Sequence, residues 1–360
     1  MSLIAYLTRI HFADSVVEDA LPEEVARLGL RHILLLTDAL AGPEGLGERV
    51  ECLLPVECDV TRADAARPLA DLRLLLQDAE CDGILAMGGP LVMDRAVELA
   101  RMPGHAPGPA GREGARNATI PVIAVPTTTA AIGLPDVAVT AKGLLRNDCR
   151  PLPSVILCDP TLTLWAGPEV TAAAGMDVIV HCVETYLSTT WNPPADGMAL
   201  DGLRRAARWI DRAVTAGGDY DARREMMAAA LNGALAGQKG LGATHALSQA
   251  VEACLAPTAP HGRFHAALLP PVLRFNAPAS QTRFTAIAEA MGLPVGRDLA
   301  QSLADLGARL GLPVTLAGLG LDATLSNEIA ARAAEDVANR TNPRHATAQD
   351  YRDLLEAAAI

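Results

Sequence analysis

Aromatic residues are scarce in this sequence, with Phe, Tyr and Trp together 3% of 360 residues, so a small-molecule pocket is expected to be aliphatic. Positive charge is also in deficit. A net charge of −12 and a pI near 5.1 leave no basic footprint for nucleic acid or for an anionic membrane surface. The seven cysteines form no CxxC pair and are odd in number, which fits reduced core residues in a cytoplasmic protein rather than a disulfide framework. The opening MSLIAYLTRIHFADS lacks a basic n-region and a sustained apolar run, so no signal peptide is expected. No uninterrupted apolar run reaches the roughly 18 residues of a membrane span.

What is present is a globular composition, half hydrophobic and 20% charged, long enough for about two domains. Short apolar runs at residues 31–38, 83–87, 120–125 and 154–158 alternate with helical patterns, which predicts a parallel sheet covered by helices. Residues 102–116 are crowded with Gly and Pro and read as a surface loop. From about Thr161 strand signals vanish, and Ala- and Leu-rich helical periodicity continues to the end. The expectation is an α/β nucleotide-binding domain over 1–160 and an all-helical domain over 161–360, with ligands in a cleft between the two.

Within the helical half, Asp177 and His181 are four residues apart in an apolar stretch, GMDVIVHCVE, so a helix there turns both side chains the same way. Buried together, they must be paired, hydrogen-bonded or bound to a metal. Alone, such a pair is more often a structural contact. His245, in the apolar helical pattern GATHALSQ, and His261, in the turn APHG, add two imidazoles. One carboxylate and three imidazoles would make an oxygen-plus-nitrogen site with an open position, suited to Fe(2+) or Zn(2+) and catalytic in style.

The stretches GMDVIVHCVETYLS, GATHALSQAVEACLAPTAPHG and AALLPPVLRFN resemble the iron-containing (group III) alcohol dehydrogenases. The likeness runs nearly end to end, through RIHFADSVVEDALPEEVARLGLRHILLLTD, CDGILAMGG, ILCDPTLT, LGLPVTLAGLGLDA and NRTNPRHATAQDYRDLLEAA. It implies the fold shared with dehydroquinate synthase: a Rossmann-like α/β N-terminal domain with a parallel sheet, followed by an all-helical C-terminal domain. It also implies one divalent metal on Asp177, His181, His245 and His261, and a homodimer or larger homo-oligomer.

For the nucleotide half, the usual dinucleotide fingerprint is absent, because Asp38 precedes the glycines instead of following them. The family order does match. Asp38 ends a strand, where a carboxylate binds ribose hydroxyls and repels a 2′-phosphate, favouring NAD over NADP; a turn aspartate is the alternative. Gly88, Gly89 and Asp94 fit the family loop G-G-G-S-x-x-D, but Pro90 and Leu91 replace its third glycine and its serine. Those two replacements remove an N–H and a hydroxyl. Thr127 and Thr128 fit the family's P-T-T segment, beyond which Ile132, Leu134 and Pro135 depart from it.

The resemblance implies hydride transfer between NAD(H) and a small alcohol or aldehyde whose oxygen is polarised by the metal. Gln249 stands where the family commonly has a second, substrate-facing histidine. An amide orients an oxygen but does not titrate near neutrality, so His265, four residues past His261, is the candidate proton relay; an exposed helix histidine is the alternative. Maleylacetate reductases, a related group, tend to carry asparagine in place of the metal-binding aspartate. Asp177 therefore favours a metal-dependent enzyme. A dehydroquinate synthase-like activity lacks its cluster of basic residues. The altered cofactor loops and Gln249 motivate one further reading, a redox-inactive metal-binding relative.

Overall fold

A computed structural model describes residues 8–38, 42, 45–101, 119–130, 132, 152–254, 262–319, 321 and 323–359. These residues fall into two compact units, the first ending at Ala166 and the second beginning at Gly167. The loop expected over 102–116 and the candidate ligand His261 lie outside the described residues.

Among the described residues of the first unit six strands form one sheet: β1 (Arg9–Phe12), β2 (His32–Thr37), β3 (Asp59–Asp64), β4 (Gly83–Gly88), β5 (Val122–Pro126) and β6 (Val155–Cys158). They lie in the order β1-β6-β5-β4-β2-β3, and every pairing is parallel. Among the described residues four helices accompany them: α1 (Val16–Leu28), α2 (Leu46–Glu51), α3 (Leu69–Asp78) and α4 (Pro90–Ala100). The runs expected to be strands became β2, β4, β5 and β6, whose side chains are almost wholly buried, as strands covered on both faces must be. Ile33, Leu35, Leu85, Ile123, Val125, Val155 and Leu157 pack with Leu21 and Val25 of α1 into one core. β1 and β3, the two edges of the sheet, were not among the expected strands.

The order of the strands has a functional consequence. From β2 the chain moves outward to β3, then returns to the other side of β2 for β4, so the direction of winding reverses between β2 and β4. In an open parallel sheet that reversal leaves a crevice beyond the carboxyl ends of the strands.

The second unit is helical, and among the described residues no strand follows Cys158. Its helices are α5 (Pro168–Leu187), α6 (Pro193–Thr215), α7 (Tyr220–Ala236), α8 (Ala243–Cys254), α9 (Gly262–Ala290), α10 (Leu299–Arg309), α11 (Ser326–Glu335) and α12 (Ala348–Ala359). Four of them start on a side-chain oxygen that accepts an N–H of the first turn: Asn192 for α6, Asp219 for α7, Asp298 for α10 and Thr347 for α12. Helix α9 leaves helical geometry at Ser280, two residues beyond Pro278.

Helix α5 is the centre of this unit and packs against α6, α7 and α9. Its length and composition would allow a membrane crossing, but 83% of its apolar window is buried inside the protein, as befits a core helix. Small residues let its neighbours approach: Gly202 of α6 and Gly233 of α7 both face the Sγ of Cys182, and Gly262 at the start of α9 lies on the carbonyl of Ala173.

Candidate active site

Asp177, His181 and Glu184 occupy positions i, i+4 and i+7 of α5, one stripe along the helix. His181 Nδ1 lies 3.0 Å from the carbonyl oxygen of Asp177; it donates there, which leaves Nε2 as the ring's acceptor. Asp177 is 1% exposed. Its Oδ1 has the Nδ1 of His265 at 3.1 Å and that of His181 at 3.4 Å. Burial by itself would raise this carboxyl, but the neighbouring imidazoles, His181 first and then His265, hold it well below the usual aspartate range.

His245 on α8 and His265 on α9 are both fully buried. The ring of His245 meets that of His181 edge-on at 4.3 Å between centroids and that of His265 at 4.7 Å. His245 Nδ1 lies 2.7 Å from Oε2 of Glu184. Ser248, one turn along α8, donates to the carbonyl of His245 and stands 3.0 Å from His265 Nε2. One ligand atom each from Asp177, His245 and His265 lies within 4.8 Å of the others.

Asp177 Oδ1 and His245 Nε2 have no hydrogen-bond partner among the described residues, although both are buried. Electron pairs converging on one buried point repel one another, and leaving them unmet is costly. A divalent cation resolves that conflict, so the residues fit a metal.

Of the four ligands expected, three are placed together. Asp177 and His245 converge, His181 touches His245 by its ring, and His261 is outside the described residues. His265 is the departure. The alternative of an exposed helix histidine does not hold, because the side chain is fully buried against Asp177. Gln249 is half-buried on α8, one turn beyond His245.

Glu184 was not among the residues expected at the site. Its carboxylate accepts the backbone N–H of Gly242 at 2.9 Å, of Thr244 at 2.6 Å and of His245 at 3.3 Å, besides the imidazole. Burial opposes its ionisation, but the bonds from His245 and Thr244 hold it below the usual glutamate range. Its spacing of seven from Asp177 on an apolar helix was the available signal. Asn342, from the NRTNPRH tail, accepts the N–H of Ala243 at 3.1 Å and is paired with Asn276.

In the first unit, Asp38 follows β2, Gly88 ends β4 with Gly89 after it, and Thr127 and Thr128 follow β5, three neighbouring strands pointing the same way. They share one edge of the sheet, at the reversal of winding. Gly88 and Pro126 are register partners, and the N–H of Thr127 bonds the carbonyl of Gly88 at 3.1 Å. Gly89 caps α4, and Pro90 takes its first position, where a missing N–H breaks no intrahelical bond. The amides of Leu91 and Val92 in that turn still have no carbonyl within the helix to bond, so the anion-binding end of α4 is reduced rather than abolished. Asp94 is exposed on α4. Thr128 donates its hydroxyl to the carbonyl of Ala130, and Trp165 donates its ring N–H to the carbonyl of Thr127.

A parallel α/β unit is joined in sequence to a helical unit that gathers one carboxylate and several imidazoles. Residues 171–359 match the C-terminal part of the Fe-containing alcohol dehydrogenase family. The chain belongs to that family and is an enzyme of alcohol dehydrogenase type. It is 37% identical to the 4-hydroxybutyrate dehydrogenase of Cupriavidus necator, with 99% of each chain covered. It is 32% identical to maleylacetate reductase 2 of Cupriavidus pinatubonensis strain JMP 134, over 94% of this chain and 91% of that one. The crystal structure of a 1,3-propanediol oxidoreductase superposes with a TM-score of 0.83 at 27% identity, covering 99% of this chain and all of the other.

Proposed function

We propose that this protein is an NAD(H)- and metal-dependent alcohol dehydrogenase or aldehyde reductase. The convergence of buried donors from Asp177, His245 and His265 carries the reading. Asp177, His181 and His245 would hold a divalent ion, Fe(2+) or Zn(2+), together with His261 as the family pattern implies. His265, beside Asp177, is within the same cluster and stands close enough to share either the ion or the proton that alcohol oxidation releases. When bound, the metal supplies Lewis acidity toward a substrate oxygen, and the nicotinamide supplies or accepts hydride.

The chain's own groups bind, orient and shield. The apolar stretch around Asp177 keeps bulk water from the donors. Gln249 orients a substrate oxygen by hydrogen bonding. Asp38 holds the adenosine ribose and disfavours a 2′-phosphate, while Gly88, Gly89, Asp94, Thr127 and Thr128 frame the pyrophosphate edge. The relative from Cupriavidus necator is named for 4-hydroxybutyrate, so a short hydroxy acid is the first substrate class to test. A maleylacetate reductase-like activity is the second reading, favoured by the 32% identity to such an enzyme and opposed by the retention of Asp177.

The test is a fluorescence titration of the metal-loaded protein with NADH and, separately, NADPH. Tight binding of NADH with weak binding of NADPH is expected. Binding of neither would remove the dehydrogenase reading and leave a metal-binding relative with another task.

A further inference from the structure

Helix α8 carries His245 two residues past its start, but the residue before it is Gly242, which has no side chain with which to cap the helix. The cap comes from elsewhere in the chain. Glu184 covers the N–H groups of Gly242, Thr244 and His245, and Asn342 covers that of Ala243. Glycine is required at 242 because these caps press against it: a Cβ there would stand 2.9 Å from both Asn342 Oδ1 and Glu184 Oε1. The packing thus brings the carboxylate up to the first turn of α8.

Glu184 does more than a cap needs to do. Its fourth donor is the ring of His245, at 2.7 Å from Nδ1. An ionised carboxylate only accepts, so Nδ1 must carry the proton, and in a neutral imidazole Nε2 is then the bare nitrogen. Nε2 is the atom of His245 that is buried without a partner. Since Glu184 lies on the same stripe of α5 as Asp177, one rigid helix sets both the carboxylate of the cluster and the tautomer of an imidazole that meets it.

We propose that Glu184 is a positioning residue, which locks His245 as the Nδ1–H tautomer and so presents Nε2 to the divalent ion. This rests on the metal reading above, but the tautomer itself does not. Carboxylates behind ligating histidines have a general role in orienting the ring and raising its basicity.

The experiment has two arms on the full chain. Nitrogen-15 NMR of the wild-type protein labelled at histidine, metal-free, reads the tautomer directly: His245 is expected with its proton on Nδ1, and a proton on Nε2 overturns the proposal whether or not metal binds. The second arm titrates metal-free wild type, Glu184→Gln and Asn342→Ala with Co(II), following the visible absorption of the bound ion. Glu184→Gln is expected to weaken Co(II) binding roughly ten- to a hundredfold. Asn342→Ala, which removes a cap from α8 without touching the imidazole, is expected to lower the melting temperature and shift Co(II) affinity less than about threefold, by that same principle. An equal loss in both variants, or none in Glu184→Gln, would make Glu184 a helix cap and nothing more. A wild type with the Nδ1–H tautomer but no Co(II) binding would sink the metal reading and leave the tautomer assignment standing.

Discussion

Single atoms in this protein separate ligand contacts from packing. Thr127 is fully buried, and its Oγ1 has no hydrogen-bond partner among the described residues, whereas Thr128 beside it bonds the carbonyl of Ala130. An unmet buried hydroxyl costs about 1–3 kcal/mol. Thr127→Val removes that hydroxyl at nearly constant volume, so thermal unfolding of the variant should show a melting temperature equal to or above wild type. If the hydroxyl also serves the nucleotide, NADH affinity will fall while stability does not. A lower melting temperature would show that the hydroxyl is satisfied in the folded protein. His265 makes the complementary point. Its residue type and its distance from His261 were visible in the sequence, but its direction was not, because a helix of uncertain phase can turn the same position to solvent or to the core.

At the scale of elements, the glycine of the PHG turn has a steric explanation. A Cβ on Gly262 would lie 1.8 Å from the carbonyl oxygen of Ala173 and 2.6 Å from its carbon. Those are backbone atoms of α5, one turn ahead of Asp177, and they cannot yield as a flexible side chain would. Gly262→Ala should therefore cost about 1–3 kcal/mol or more, the range of overpacking, as a lowered denaturant midpoint with an unchanged slope. A midpoint within experimental error of wild type would mean that α9 and α5 do not approach this closely. The strands show what local pattern conveys. The central runs were legible because both faces of the sheet are covered, which leaves near-continuous apolar sequence. Strands β1 (RIHF) and β3 (DVTRAD) are edges, carry Arg9, His11, Asp59, Arg62 and Asp64, and have mostly partly buried or exposed residues. Charge on an edge is a defence against pairing with other chains, and it erases the apolar signal by which a strand is recognised.

For the whole molecule, the acidic balance includes carboxylates with folded-state work to do, and Glu24 is the clearest outside the site. Its side chain is 3% exposed and accepts bonds from Arg27, His11 and Arg9, tying α1 to the edge strand β1. Burial opposes its ionisation, but the bonds from Arg27 and His11 and the charges of Arg27 and Arg9 outweigh it, so its folded pKa is lowered. A carboxylate lowered on folding contributes stability that is fully present above its unfolded value, near 4.5, and lost as pH falls through its folded value. The stability difference between wild type and Glu24→Gln should therefore be present above about pH 5 and shrink below about pH 4, within the carboxylate range. Thermal unfolding across that range checks it. A difference that grew toward acid would reverse the sign of the coupling.

The central strands and the change from an α/β to a helical part follow from the sequence alone, because periodicity and turn residues act over a few neighbours. The sequence also placed Asp177 and His181 on one face, since residues four apart point the same way on any straight helix. Tertiary structure alone decided which residues complete the site. His245 and His265 reach Asp177 from separate helices, and α8 receives its caps from Glu184 and Asn342, 58 residues before Gly242 and 99 after Ala243. Local spacing carries no information about such meetings, because they are fixed by how whole helices pack, and glycines at 202, 233, 242 and 262 set how closely those helices can come.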